Sequence, residues 1–178
     1  MGTLLPTRTF NPIIVMGVSG CGKTTMGRAL AARQNAAFLD ADDFHPEANV
    51  AKMRAGTPLN GEDRAPWLVT LNHLLRTRSE RGEGVVLACS ALRKNYRAAI
   101  GMGLPQAHWI FLDGSFELIA ERMRERPNHY MPESLLRSQF DALERPEDAI
   151  TISIELSPAE QVLAAQRALD LDSRMLNL

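Results

Sequence analysis

Residues 13–25, IIVMGVSGCGKTT, constrain this 178-residue chain more than any other segment. Four apolar residues of buried-strand type run into Gly17-Val18-Ser19-Gly20-Cys21-Gly22-Lys23-Thr24, which satisfies G-x-x-x-x-G-K-S/T at every fixed position. Glycines let the backbone curl until successive N–H groups point inward, and the following helix adds its positive end. Lys23 reaches β and γ phosphates, and Thr24 ligates Mg²⁺. Four such positions coincide in only about one chain in a hundred of this length at ordinary residue usage. We therefore read Gly17, Ser19, Gly20, Cys21, Gly22, Lys23, Thr24 and Thr25 as contacts of a nucleoside triphosphate rather than as a bare glycine-rich turn.

The remaining chain must surround that loop with a sheet. Residues 36–40 read as a second buried strand, 85–89 as a third, 108–113 as a fourth and the β-branched 149–154 as a fifth. Helical segments fall between them: one after the loop, one at 46–55 stopped by Gly56, one from Pro66 to about Gly82, one carrying Phe116, Ile119, Ala120 and Met123 on a face, and one at 135–143. Ser157-Pro158 opens a closing helix. Strands alternating with helices predict an α/β fold, a parallel five-stranded sheet with helices on both faces, as one domain over 1–178 preceded by a loose leader to about residue 11. Trp67 is expected in the core.

Composition narrows the function. Lys+Arg 20 against Asp+Glu 21 gives net charge −1, so no global field recruits nucleic acid or an anionic membrane. Two cysteines are no disulfide framework and fit a reducing compartment, hence the cytoplasm. No run approaches the roughly 18 apolar residues that span a bilayer. A guanine-nucleotide switch would need N-K-x-D and D-x-x-G segments, and neither occurs.

The acids supply the other half of a reaction. Asp40-Ala41-Asp42-Asp43 ends the second strand at the carboxyl edge, where open α/β sheets bind ligands. The third strand ends in Cys89 and Ser90, without the aspartate that usually serves metal beside a phosphate loop, so that work passes to Asp40 and Asp42. Asp40 is assigned to the Mg²⁺ shell with Thr24, and Asp42 to a substrate hydroxyl as catalytic base. Asp43 is either a helix cap or a further acid of the site. Arg122, Arg124 and Arg126 border a proline-bracketed segment. They form either a solvated helix face or the flank of a lid, about 122–135, that closes over the nucleotide and brings arginine charge to the transferring phosphoryl group. Together these features describe a small-molecule phosphotransferase.

Three segments carry a more specific signal: FLDADDFHPEANVAKMRAGTPLNGEDRAPWL (38–68), CSALRKNYR (89–97) and RERPNHYMPESLLRSQFDALERP (124–146). Their D-x-D-x-x-H-P and P-L-x-x-x-D-R-x-P-W-L patterns resemble the gluconate kinase (gluconokinase) family, similar in fold to shikimate and adenylate kinases. The resemblance covers most of 13–169. It implies the P-loop nucleoside monophosphate kinase-like fold and ATP- and Mg²⁺-dependent phosphorylation of D-gluconate to 6-phosphogluconate, in the cytoplasm, by a homodimer. Carried over by position, 42–68 is the substrate region. Asp42 and His45 face the sugar acid, Arg64 binds its carboxylate, Lys52, Arg93 and Arg97 add polar contacts, and Arg122 and Arg126 approach ATP. A planar guanidinium suits a carboxylate independently of the resemblance. Arg64 also has the plainer option of a surface ion pair with Glu62 or Asp63. The chain departs from the family at Asn128, where glycine is usual, at Gly61, where an acid is common, and at Cys21. A kinase of shikimate or another polyol acid, or a nucleotide-binding regulator without transferase activity, are the competing readings.

Overall fold

The computed structural model describes residues 10–125 and 133–175. In chain order these form β1 (Ile13–Met16), α1 (Lys23–Gln34), β2 (Ala37–Asp40), a 3-10 turn (Ala41–Phe44), α2 (Glu47–Arg54), α3 (Gly61–Glu80), β3 (Val85–Ala88) and α4 (Lys94–Gly101). They continue through β4 (His108–Asp113), α5 (Phe116–Arg124), α6 (Glu133–Ala142), β5 (Ile150–Ser153) and α7 (Pro158–Met175). The strands build one five-stranded sheet, order β2-β3-β1-β4-β5, parallel throughout. This is the expected α/β fold.

Alternation along β1 divides the core. Ile13 and Val15 point to a layer with Met26 and Leu30 of α1, Ile119 of α5, Leu136 of α6 and Val162 and Ala165 of α7. Ile14 and Met16 point to the other, with Leu71 and Leu75 of α3 and Ile100 of α4. Burial of the sheet on both faces explains why its inner strands are continuously apolar. Register then fixes the functional edge: Val15 pairs with Ala88, and Ala88 with Asp40. Asp40 therefore sits level with the end of β1, one strand removed from it, beside the phosphate loop.

Two expectations change. Pro66 is not the first residue of its helix, because α3 begins at Gly61 with Pro66 inside it. Asn60 accepts from the Asp63 N–H at 2.9 Å while the Asp63 carboxylate accepts from the Asn60 N–H at 3.0 Å. This reciprocal cap satisfies two helix-end donors and so starts the helix earlier. Residues 1–9 of the expected leader lie outside the described residues. Asn11 is half-buried with Nδ2 3.4 Å from His108 Nε2, and Pro12 accepts from the His108 N–H at 2.8 Å. Contacts with β4 thus begin before residue 12.

Candidate active site

The loop between β1 and α1 has the shape its glycines require. Gly17 has φ 143°, and a Cβ there would lie 2.8 Å from Cys21 Sγ and 2.9 Å from the Leu112 carbonyl oxygen. Gly20, at φ 82°, meets Met123 of α5 so closely that a Cβ would stand 2.8 Å from its Cγ. Any larger residue at either position would displace a neighbour. Cys21 is buried under the loop with 1% of its surface exposed.

Helix α1 starts at Gly22 with no side-chain cap and no acid in its first turn, whereas Asn60 caps α3 and Ser115 caps α5. Its leading N–H groups and positive end remain directed at the loop, which is the electrostatic requirement of a phosphate cradle. The Lys23 ammonium folds back to donate to the Val18 carbonyl at 3.0 Å. The Ser19 N–H, one of the cradle donors, is accepted by Gln139 Oε1 of α6 at 2.6 Å. Gln139 escaped the sequence reading, since its only local signal is a place within the 124–146 segment.

Thr24 Oγ1 donates to Asp40 Oδ2 at 3.0 Å, uniting the two residues assigned to metal. Asp40 Oδ1 also accepts from the Asp42 N–H at 3.2 Å and so caps the 3-10 turn, the role left open for Asp43. Asp42 is thereby held two residues past a fixed carboxylate. Lost hydration pushes its carboxyl above the ordinary value, Asp40 adds to the rise, and Lys23 and His45 oppose it. That combination of charges places Asp40, Asp42, Lys23 and His45 in one electrostatic neighbourhood. Cys89 beneath them is pushed up to about 12 by burial. Among the described residues no three His, Cys, Asp or Glu side chains group to hold a metal alone. Mg²⁺, which keeps water and phosphate ligands, needs no such group.

The segment expected to bind substrate is assembled on α3. Trp67 is buried, as expected, but its ring also stacks under His45, with centroids 4.3 Å apart and planes 11° from parallel. Its indole N–H donates to the Ala41 carbonyl at 2.8 Å, between the two acids. His45 is half-buried, and lost hydration lowers its basicity. Arg64 makes no ion pair with Glu62 or Asp63 among the described residues. Its guanidinium donates to the carbonyls of Leu59 and Asn60 at 2.5 and 3.3 Å and lies 5.6 Å over the Tyr96 ring.

Other expected contacts have partners within the protein. Lys52 pairs with Asp63 at 2.6 Å and thereby ties α2 to the start of α3. Arg97 donates to the carbonyls of Ala91 and Leu92, both at 3.1 Å. Arg93 is exposed at the N-terminal boundary of α4. Arg122 is half-buried and donates to the Ile154 carbonyl at 2.7 Å, just past β5. Thr25 is exposed on α1. Arg126, Asn128 and the centre of the expected lid lie outside the described residues.

A family model described as an AAA domain matches residues 13–146. The fold is shared with a shikimate kinase from Acinetobacter baumannii, at TM-score 0.53 and 20% identity over 95% of this chain and 98% of that one. A parallel sheet with an uncapped phosphate loop at its carboxyl edge and an acid pair one strand away defines a P-loop kinase of the small-molecule type. The sequence is 48% identical over 134 residues to the thermosensitive gluconokinase of Escherichia coli, covering 75% of this chain and 72% of that protein. It superimposes at TM-score 0.87 on a gluconokinase from Sinorhizobium meliloti, with 37% identity over 96% of this chain and 97% of the other. The chain belongs to the gluconokinase family.

Proposed function

We propose that this protein transfers the γ-phosphoryl group of ATP to D-gluconate, giving 6-phosphogluconate. The observation that carries the reading is the hydrogen bond from Thr24 to Asp40, which joins the phosphate loop to the acid pair. The loop amides and the α1 N-terminus bind the polyphosphate, and Lys23 leaves the Val18 carbonyl to absorb charge on the transferring group. ATP would supply the phosphoryl group, and Thr24 and Asp40 would hold the shell of a Mg²⁺ ion whose charge would offset that of the polyphosphate. Asp42 orients the attacking hydroxyl and takes its proton. Arg64 is the carboxylate clamp: its guanidinium is fixed against Leu59, Asn60 and Tyr96 and makes no ion pair among the described residues.

Lys52 and Arg97 act mainly by holding 42–68 and 89–97 in place, because their charged ends are engaged by Asp63 and by main-chain carbonyls. His45 is a direct contact, Arg93 a peripheral one, and Arg122 and Arg126 close on the nucleotide from a lid at about 122–135. The chain acts as one kinase domain over 1–178, as a homodimer in the cytoplasm. Two buried cysteines, neither in a disulfide, support a reducing compartment, and among the described residues no helix is long and apolar enough to cross a membrane. A coupled ADP assay over a panel of sugar acids and shikimate tests the activity. Gluconate-dependent ADP formation that needs Mg²⁺ is expected, and no response to any member overturns the reading. Sedimentation of the full chain tests the dimer.

A further inference from the structure

Asn49 of α2 is buried, with 4% of its surface exposed, and carries no expected role. Its Nδ2 donates to the Asp63 carbonyl oxygen at 2.7 Å and stands 3.4 Å from His45 Nδ1. The first contact fixes which way the amide faces. Turned over, Oδ1 would meet the Asp63 carbonyl with no proton between two acceptors. The amide nitrogen therefore presents its second N–H to His45, and only an unprotonated Nδ1 accepts it. A neutral imidazole with a bare Nδ1 carries its proton on Nε2.

The ring plane is set separately by Trp67, which stacks on His45 and is itself anchored to the Ala41 carbonyl. Stacking leaves a ring free to turn over in its plane and indifferent to where its proton sits. Asn49 removes both freedoms.

We propose that Asn49 is a positioning residue that holds His45 in the neutral Nε2–H tautomer, so that His45 offers the substrate a hydrogen-bond donor rather than an acceptor or a second cation. The proposal rests on the reading of His45 as a gluconate contact. The ring's surroundings agree with it: lost hydration opposes the imidazolium and outweighs Asp42, which favours it, and Arg64 opposes it less strongly. Protonation of Nδ1 would also set its N–H against that of Asn49. A neutral donor suits a polyol acid, because it selects an oxygen by direction while leaving the carboxylate to Arg64.

Long-range ¹H–¹⁵N spectra of the full chain, with His45 assigned by its loss in His45→Gln, read the tautomer directly. In the wild-type protein Nδ1 is expected at an unprotonated shift and Nε2 at a protonated one. Asn49→Ala removes the donor and is expected to mix the tautomers and raise the gluconate KM by about threefold to tenfold, with the ATP KM unchanged. Asn49→Asp reverses the polarity, and is expected to move the proton to Nδ1 and raise the gluconate KM further. A protonated Nδ1 in the wild-type protein overturns the proposal, and that spectrum needs no variant to fold. So does a gluconate KM that stays fixed when the tautomer changes, or an equal rise in both KM values. Wild-type protein that turns over no gluconate would instead overturn the functional reading, and an unprotonated Nδ1 would still uphold the Asn49–His45 arrangement.

Discussion

In the proposed reaction Asp42 bears the heaviest chemical demand, since it is assigned to accept a proton while standing beside Asp40. Its raised affinity for protons makes it a better base than a free carboxylate. Between the ordinary and the raised pKa the folded chain binds more protons than the unfolded one, so stability falls as pH rises through that window. Asp42→Asn is therefore expected to cut kcat by about 10²- to 10⁴-fold. It should also raise the Tm above the window and lose that advantage below it, which thermal melts across pH check. In the native enzyme kcat/KM should fall as pH drops through the raised value. Lys23→Ala is expected to abolish turnover with little change in the Tm, because the ammonium holds one carbonyl and fills no core volume; scanning fluorimetry beside the ADP assay checks both. Arg64→Ala should raise the gluconate KM by about 10- to 150-fold, the equivalent of about 1.5–3 kcal/mol, and leave the ATP KM in place, as initial-rate titrations would show. The pairing of Thr24 with Asp40 was readable in the sequence because a loop motif and a strand end each fix a position on one edge. The partners of Lys52 and Arg97 were not, because long side chains take whatever carboxylate or carbonyl the fold brings near.

At the scale of elements, the start of α3 decides how the proposed substrate region is held. A proline at a helix start is a sound expectation, yet the reciprocal Asn60–Asp63 cap governs, and Pro66 sits inside the helix at an exposed position. Moving the boundary to Gly61 puts Asp63 and Arg64 in the first turns, where Asp63 receives Lys52 and Asn49 while Arg64 reaches back to Leu59. Asn60→Ala should cost about 1 kcal/mol and lower the Tm by roughly 2–4 °C, measured by calorimetry. Helix α1 shows the opposite arrangement. Its missing cap was implied by Gly22 in the motif, and an added acid there would compete with phosphate for the same amides.

Across the whole molecule the sheet separates two apolar layers, and both cysteines are sealed at its functional edge, Cys21 at 1% and Cys89 at 2% exposure. With the Cys89 thiol pushed up to about 12, little nucleophilic thiolate exists there. A thiol reagent is expected to label neither cysteine appreciably in the native protein and both in denaturant, as mass spectrometry would count. Order along the chain was sufficient for the parallel α/β fold, the phosphate loop and the acid pair, because strand periodicity, glycine conformation and helix-end electrostatics are local properties that spacing encodes. Packing settled the rest: around the start of α3, that Asn49 and Trp67 grip His45 and that Asp63 takes Lys52, and where α6 meets the phosphate loop, that Gln139 reaches the Ser19 amide. Apart from Asn49 and His45, four positions apart, those contacts join distant residues with no periodicity between them, so their identity depends on which surfaces the folded layers press together.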